Sequence, residues 1–171
     1  MAVLSIRVLG DPVLRETARP VERFDRALRR IAEDMLETMY EAPGVGLAAN
    51  QVGLSLACFV FDDGDGHEGF VANPKVFDLQ GEETLDEGCL SIPGPFYPTP
   101  RALRARVRGR DVRGRDLELE GEGLLARIFQ HETDHLSGGL YIDRLPDDGR
   151  NEVLRRLREE EARRAVGGDP G

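Results

Sequence analysis

Residues 131–135, which read His-Glu-Thr-Asp-His, constrain this chain more than any other segment of its sequence. An α-helix turns by about 100° per residue, so His131 and His135 lie one turn apart and only about 40° apart around the axis. Glu132 lies roughly 60° to the side of His135, within reach of a water on an ion that the two imidazoles share. The segment therefore predicts a helix that carries a metal site, with Glu132 as general base.

The residues before this motif support a helix that is buried. Leu124, Leu125, Ile128 and Phe129 recur at helical spacing and run straight into the motif, and glycines at 138 and 139 end it. The alternative is an amphipathic helix whose histidines face solvent or pack against the core. The chain has three histidines, and two of them bracket a glutamate at the spacing that metallohydrolases use, which favours the metal site.

The two cysteines differ in their surroundings and are too few for a disulfide framework. Cys58 lies inside the apolar run 54–60, where a small buried side chain is the ordinary interpretation. Cys89 lies in the segment Glu-Gly-Cys-Leu-Ser, residues 87–91. An open catalytic metal site usually has three protein ligands plus water, and the two histidines supply only two of them. Spacing alone leaves Cys89 either as the third ligand or as a buried thiol.

Hydrophobic periodicity and turn residues predict the other elements of the fold. In order, these are a helix over 25–40, a glycine-rich loop over 44–51, a strand over 54–61 paired with 70–77, a second hairpin from 103–108 and 117–120, and a last helix over 149–166. No internal repeat or linker is visible. A chain of 171 residues with 40% hydrophobic residues should form one domain, residues 1–166, followed by a disordered tail, residues 167–171.

Charge and hydropathy exclude some classes of partner. The net charge of −9 argues against a protein whose main partner is a nucleic-acid phosphate backbone, so no specific DNA binding is expected. No apolar stretch approaches the roughly 18 residues that span a bilayer, and the first residues do not resemble a signal peptide. We expect a soluble, cytoplasmic protein with no membrane partner.

Three segments read together, residues 44–51, 87–91 and 130–135, closely resemble the three motifs of peptide deformylases, in the same order. The similarity extends from about residue 6 to residue 144. It implies an α+β fold, with mixed and antiparallel sheets around the central metal-binding helix and with an N-terminal and a C-terminal helix. It also implies a bacterial enzyme that removes the formyl group from the N-terminal formyl-methionine of newly synthesised polypeptides and releases formate.

The resemblance also assigns roles to residues at matching motif positions. One divalent ion, preferentially iron(II), with zinc, nickel or cobalt as alternatives, would be bound by Cys89, His131 and His135. Glu132 would be the general acid/base. The oxyanion would be stabilised by Gln51 and by the backbone amide of Leu90.

The substrate contacts implied by the resemblance fall into two groups. The peptide would lie extended and pair with the backbone of Val45, Gly46 and Gly88. The methionine side chain would enter an apolar pocket, for which the candidates are Leu85, Leu124 and Ile128. Many family members carry a substrate-holding arginine a few residues after the cysteine motif, whereas the nearest arginine here is Arg101.

The sequence is also compatible with two other functions and with one further partner. A zinc endopeptidase of the His-Glu-x-x-His type would take its third ligand from a later residue such as Glu152, since no histidine follows His135. A non-catalytic, metal-stabilised module would need a fourth protein ligand, and the sequence offers no obvious one. The arginine-rich C-terminal helix is a candidate contact with the ribosome, where the substrate emerges.

Overall fold

Residues 2–167, which the computed structural model describes, form three α-helices, seven β-strands and three short 3-10 helices. The α-helices are α1 (Arg26–Glu41), α2 (Leu124–Leu136) and α3 (Asp147–Gly167). The strands are β1 (Gly46–Ala48), β2 (Cys58–Asp62), β3 (Glu68–Gln80), β4 (Glu83–Cys89), β5 (Ile92–Arg101), β6 (Arg104–Arg110) and β7 (Asp116–Glu122). The 3-10 helices span Pro12–Arg15, Ala49–Val52 and Tyr141–Arg144.

The strands form two sheets, and every strand pair within them is antiparallel. The larger sheet has the order β1-β2-β3-β6-β7, and β4 pairs with β5 in a separate two-stranded sheet. An isolated parallel bridge joins Arg19 to Leu56. The predicted α+β class is confirmed, including both predicted hairpins.

Helix α2 lies between the two sheets and has two buried faces. Leu125 and Phe129 pack into a cluster with Phe59 and Phe61 of β2, and the rings of Phe61 and Phe129 meet edge to face at 5.6 Å. This apolar contact stabilises the centre of the fold, because aromatic side chains bury large areas. The opposite face of α2, which carries the motif residues, is turned toward β4.

Helix α1 begins and ends within one residue of the prediction. The side chain of Asp25 accepts a hydrogen bond from the amide of Leu28 at 3.1 Å and so caps the helix. Met35 and Met39 on its inner face are fully buried in the same cluster as Cys58, which confirms Cys58 as a core residue. Burial raises the pKa of the Cys58 thiol to about 12, so this side chain stays a neutral thiol.

Helix α3 starts two residues earlier than predicted and ends at Gly167, so the predicted tail starts one residue too early. Residues 168–171 lie outside the described residues. Val153 and Leu157 anchor α3 in a cluster with Ile92 of β5 and Tyr141. Within residues 2–167, none of the helices is both long enough and apolar enough to cross a membrane.

Three features of the sheets were not predicted. The β4–β5 hairpin was missed because β5 carries four prolines, which ordinarily exclude a strand. Within residues 2–167, β5 pairs only with β4, so its prolines need not interrupt a second ladder. The predicted strand over 54–61 was too long, since pairing begins at Cys58. The segment predicted as a loop, residues 44–51, instead contains β1 and the start of a 3-10 helix.

Candidate metal centre

The three predicted ligands converge between β4 and α2. Cys89 is the last residue of β4, and its Sγ lies 3.3 Å from Nε2 of His135, which in turn lies 3.1 Å from Nε2 of His131. The three donor atoms all lie within 4.8 Å of one another. A tetrahedral ion with bonds of about 2.0–2.3 Å places its donors about 3.3–3.6 Å apart, so this donor set fits a single divalent ion.

Glu87 determines which nitrogen of His131 faces this site. Nδ1 of His131 lies 2.8 Å from Oε2 of Glu87, so the ring donates there and leaves Nε2 free to bind an ion. Burial alone would raise the pKa of Glu87. Hydrogen bonds from His131 and Arg101 outweigh burial and hold the pKa well below the usual value for a glutamate. Glu87 is therefore a buried carboxylate that orients the ring of His131.

Two arginines hold Glu87 in place. Arg101 donates to both oxygens of Glu87, at 3.0 and 2.6 Å, and Arg127 donates to Oε1 at 2.8 Å. Arg101 also donates to Asp134 at 2.6 Å, and its side chain is fully buried. Its guanidinium is therefore committed to these carboxylates, and Arg101 does not line the cleft.

The sequence did not point to Glu87 and Arg127 as parts of the site. Glu87 directly precedes Gly88-Cys89, and acidic residues in this segment suggested an exposed, polar neighbourhood. Only the contact with α2 shows that its carboxylate is buried. A buried glutamate between a histidine and two arginines is recognisable from tertiary contacts, since these partners are 14 to 44 residues apart in sequence.

His135 and His131 are further held by packing. The side-chain amide of Asn50 donates to the backbone carbonyl of His135 at 2.5 Å and ties the end of α2 to the 3-10 helix after β1. The ring of Tyr141 stacks against that of His131, with centroids 6.3 Å apart and planes 22° apart. These contacts position the ring of His131 and the backbone of His135, and rigid positioning of this kind suits a metal site.

Glu132 lies beside the three ligands with its side chain against the backbone of β1. A Cβ atom placed on Gly46 would lie 2.5 Å from Oε1 of Glu132, so only glycine leaves room for the carboxylate. Burial raises the pKa of Glu132 to about 7, while the neighbouring His131 opposes this rise and Glu87 adds to it. A carboxylate with a pKa near neutrality is well suited to accept and return a proton.

Gln51 presents its amide nitrogen to the same site. Its Oε1 accepts a hydrogen bond from the amide of Ala48 at 2.9 Å, which leaves Nε2 pointing toward Ser91 Oγ at 3.1 Å and Cys89 Sγ at 3.6 Å. Gln51 is buried, and this orientation is fixed by the backbone. Leu90 follows Cys89 directly in the turn between β4 and β5 and lines the same cleft.

A cleft of about 500 Å³ opens over the ligands. Among the described strands, β1 and β4 each pair on one side only, and the cleft lies between their free edges. The predicted substrate-contacting residues that line it are Val45, Gly46, Gly88, Leu124 and Ile128. The prediction for Leu85 is wrong: Leu85 is 48% exposed and does not line the cleft. Leu85 precedes Cys89 by four positions along the strand, a distance of about 13 Å.

Glu152, the example of a third ligand named for the endopeptidase alternative, is engaged elsewhere. Glu152 lies on α3, where it accepts hydrogen bonds from Arg155 and Arg156. The donor set is completed instead by Cys89, from a strand that precedes the motif helix. The structure therefore does not favour the endopeptidase alternative.

Comparison with known proteins agrees with this geometry. The profile of the polypeptide deformylase family matches residues 3–151. A peptide deformylase of Acidothermus cellulolyticus is 52% identical over 161 residues, which is 94% of this chain and 89% of the relative. The crystal structure of a peptide deformylase from Legionella pneumophila superposes with a TM-score of 0.91 at 40% identity, covering 99% of this chain and 100% of that one. The peptide deformylase structure from Thermus thermophilus gives a TM-score of 0.87 at 51% identity, covering 94% and 96%. The chain belongs to the polypeptide deformylase family and is a deformylase enzyme.

Proposed function

We propose that the protein removes the N-formyl group from formyl-methionine at the start of newly made polypeptides and releases formate. The observation that carries this proposal is the convergence of three metal ligands, a buried glutamate with a pKa near 7 and a fixed amide donor at the floor of one cleft. The family supports metal-dependent deformylation, and the cleft supports an extended peptide as substrate.

Cys89, His131 and His135 would hold the ion, which supplies Lewis-acid chemistry: it lowers the pKa of water and polarises the formyl carbonyl. Glu132 accepts a proton from the attacking water, whose oxygen forms a bond to the formyl carbon. The same carboxyl then gives that proton to the amine nitrogen as the carbon–nitrogen bond breaks. This step yields formic acid and a peptide with a free methionine amine, and the acid's proton passes to the amine to give formate and an ammonium group, so atoms and protons balance.

Two fixed donors meet the charge that develops on the formyl oxygen. Nε2 of Gln51 is aimed into the site because its Oε1 is bound to Ala48 at 2.9 Å. The backbone amide of Leu90 is the second donor in this proposal. Donors of this kind cost no reorganisation when charge develops, and removing one typically slows a reaction by about 10²–10³-fold.

The free edges of β1 and β4 support an extended binding mode for the peptide. Val45 and Gly46 on one side and Gly88 on the other would exchange backbone hydrogen bonds with it, as an added strand does. Backbone pairing does not depend on side chains, which suits an enzyme that acts on many different polypeptides. The methionine side chain would lie against Leu124 and Ile128, apolar residues of the cleft on α2, the helix that also carries His131 and His135.

Iron(II) is the ion we propose, with zinc, nickel or cobalt as functional substitutes. One thiolate and two imidazoles make a donor set that suits all of these ions. The setting we propose is the bacterial cytoplasm, where formylated polypeptides are made. The Acidothermus, Legionella and Thermus relatives support this setting.

Contact with the ribosome through α3 is part of the proposal. Helix α3 carries six arginines and six acidic residues, and Arg155, Arg156, Arg163 and Arg164 lie within ion-pair distance of glutamates on the same helix. Truncating the chain after Asp148 would remove most of α3 and so test this contact, but it would also remove Val153 and Leu157 from the core. The sharper test is Arg158→Glu with Arg163→Glu, which leaves the core intact. Weakened co-sedimentation with ribosomes supports the contact, and unchanged co-sedimentation rejects it.

The function itself is tested with protein loaded with iron or nickel and with formyl-Met-Ala-Ser as substrate. Wild type, Glu132→Ala and the control Asp116→Asn, on the far edge strand β7, are compared for formate release and for cleavage of internal peptide bonds. Formate release that needs Glu132, with internal bonds intact, supports the deformylase. Internal cleavage without formate rejects it in favour of an endopeptidase, and neither activity in metal-loaded protein rejects both.

A further inference from the structure

A run of arginines between residues 19 and 30 has no carboxylate partner. All of its members are exposed: Arg19, Arg23, Arg26, Arg29 and Arg30. Within residues 2–167, none of them lies within ion-pair distance of a carboxylate. Arg15, the arginine before this run, lies 2.6 Å from Asp143. Arg101, the arginine after it, lies 2.6 Å from Glu87. The run therefore carries positive charge that the fold does not neutralise.

Three arginines of this run are neighbours on α1. Arg26, Arg29 and Arg30 have the spacing that places side chains side by side on a helix, and they line a groove of about 490 Å³. Like charges at this spacing repel each other and destabilise a helix. An anion bound across the three guanidinium groups would remove this repulsion.

A second group of cations lies on β3 and β6. Lys75 of β3 is opposite Arg108 of β6 in the sheet, and both line a groove of about 550 Å³ together with Arg110. The ring of Phe77 lies 4.7 Å from the guanidinium of Arg108, a cation–π contact that supports one face of this group and leaves its N–H edges free. Lys75, Arg108 and Arg110 are exposed.

The carboxylates of the two grooves do not balance these cations. The groove on α1 has one carboxylate, Glu33, against three arginines. The groove on β3 and β6 has two, Asp116 and Glu118, and Glu118 is already paired with Arg106. Both grooves therefore keep an excess of positive charge, although the whole chain has a net charge of −9.

Two contacts join the grooves into one region of the surface. The side chain of Asn73, which lines the groove of Lys75, accepts a hydrogen bond from the amide of Val21 at 2.7 Å. It also donates to the carbonyl of Val21 at 3.0 Å, so the run of arginines is fastened to β3.

The second contact is between this run and the turn that joins β6 to β7. A Cβ atom on Gly114 would lie 2.9 Å from the ring of Phe24, and Val112 packs against the apolar cluster of α1. The turn carries Arg113, which is exposed and has no ion pair within residues 2–167. The basic surface thus consists of the five arginines of the run together with Lys75, Arg108, Arg110 and Arg113.

The surroundings of the basic surface select among polyanions. Of the large apolar side chains that are exposed within residues 2–167, none lies in the run of arginines, in the β6–β7 turn or along the two grooves. The surface therefore has no apolar anchor for a bilayer and no exposed aromatic ring on which an unpaired base could stack. Cations without either feature suit the phosphates of a double helix.

We infer that the basic surface binds the phosphate backbone of double-helical RNA without reading its sequence. The choice of RNA rests on the proposed function, because newly made polypeptides emerge where folded RNA is the abundant polyanion. This surface differs from α3, whose Arg155, Arg156, Arg163 and Arg164 lie within ion-pair distance of glutamates on the same helix. Because the rest of the chain is acidic, binding is salt-dependent and of moderate affinity.

The test measures binding of the full chain to a labelled RNA duplex of about 20 base pairs at salt concentrations from about 50 to 200 mM. Wild-type affinity should fall by about 40–150-fold over this range, as about three to four phosphate contacts predict. Arg29→Gln with Arg30→Gln should weaken binding at the lowest salt by at least about fivefold and reduce the salt dependence by about one to two phosphate contacts. Arg108→Gln with Arg110→Gln should do the same.

The matched control is Arg104→Gln with Arg155→Gln. It removes the same charge from arginines that already have carboxylate partners, Glu122 and Glu152, and its affinity should stay within about twofold of wild type. No binding by wild type at the lowest salt overturns the inference, as does a control that loses as much affinity as the two variants of the basic surface.

Other polyanions are compared in the same assay. Tighter binding to vesicles that contain phosphatidylglycerol, lost in the same variants, would assign the surface to lipid headgroups and overturn the inference. Tighter binding to single-stranded RNA or to a DNA duplex of the same length would overturn the choice of double-helical RNA.

Formate release from formyl-Met-Ala-Ser separates this inference from the proposed function. All the variants should release formate at the wild-type rate, because none of the substituted residues lines the cleft. RNA binding needs neither the metal nor a formylated peptide, so its failure leaves the proposed function standing. No formate from a metal-loaded protein that binds RNA rejects the proposed function, and with it the reason for choosing RNA.

Discussion

Oε2 of Glu87 lies 2.8 Å from Nδ1 of His131, at the contact between β4 and α2. The same carboxylate accepts hydrogen bonds from Arg101 and Arg127, so one buried anion both orients the ring of His131 and pairs with two arginines. Replacing one member of such a group leaves uncompensated charge in the core, which is more costly than losing the pair as a whole. Stability and metal affinity should therefore depend on the same residue.

Glu87→Gln should lower metal affinity by about 10–100-fold, because the partner that fixes the orientation of His131 is weakened. It should also lower the free energy of unfolding by about 3 kcal/mol, since the buried Arg127 loses its carboxylate partner and Arg101 is left with Asp134. Competition with a chelator measures the first quantity and urea unfolding the second. Glu83→Gln, a substitution of the same kind on the same strand, serves as control. Metal affinity equal to that of wild type in Glu87→Gln would contradict the orienting role.

Gly46→Ala should reduce kcat by at least about tenfold while the bound metal stays constant, because the new methyl group displaces the carboxylate of Glu132. The expected readouts are formate release and metal content of the same preparation. Gly69→Ala, in β3 of the same sheet, places its methyl 3.3 Å from the ring of Phe61 and should keep normal activity. Full activity in Gly46→Ala would show that Glu132 does not depend on this close approach.

The two cysteines should respond to the same substitution in opposite ways. Cys89→Ser should reduce bound metal from about one ion per chain to a small fraction, because a hydroxyl is a poor substitute for a thiolate ligand. Cys58→Ser should keep the ion but lower the free energy of unfolding by about 1–3 kcal/mol, since it buries a hydroxyl group in an apolar cluster that offers no hydrogen-bond partner for it. Elemental analysis and thermal unfolding separate the two effects. Retained metal in Cys89→Ser would refute the assignment of the third ligand.

The carboxylate of Asp143 should make the free energy of unfolding depend on pH in the acid range. Burial would raise the pKa of Asp143, but hydrogen bonds from Arg15 and from the amide of Leu140 outweigh it and lower the pKa. A lowered folded pKa gives stability that is present above the unfolded value, about 4, and is lost as pH falls through the folded value. Asp143→Asn should therefore be less stable than wild type at pH 7, by about 1 kcal/mol for this partly exposed pair.

The difference between wild type and Asp143→Asn should shrink as the pH is lowered from about 4, and the two unfolding curves should converge. Urea unfolding between pH 2 and pH 7 measures this, with Asp116→Asn as the control whose difference from wild type stays small. A stability difference between wild type and Asp143→Asn that stays constant from pH 2 to pH 7 would mean that the charge of Asp143 does not contribute to stability.

Much of the fold followed from local patterns. The apolar spacing of α1 and the capping side chain of Asp25 predicted that helix to within one residue, because helix geometry links residues three and four apart. The β4–β5 hairpin escaped prediction because four prolines mask its strand character, and only its place as a separate two-stranded sheet makes them acceptable.

The sequence by itself determined the relation of His131, Glu132 and His135, since the pitch of a helix fixes the angles between its own side chains. It could not decide between the two interpretations of Cys89, nor reveal that Glu87 is buried, nor exclude Leu85 from the cleft. Those answers depend on how β4 packs against α2, more than 40 residues away in sequence. Contacts of that range are set by the packing of the whole core and not by local geometry, so only the tertiary structure decided them.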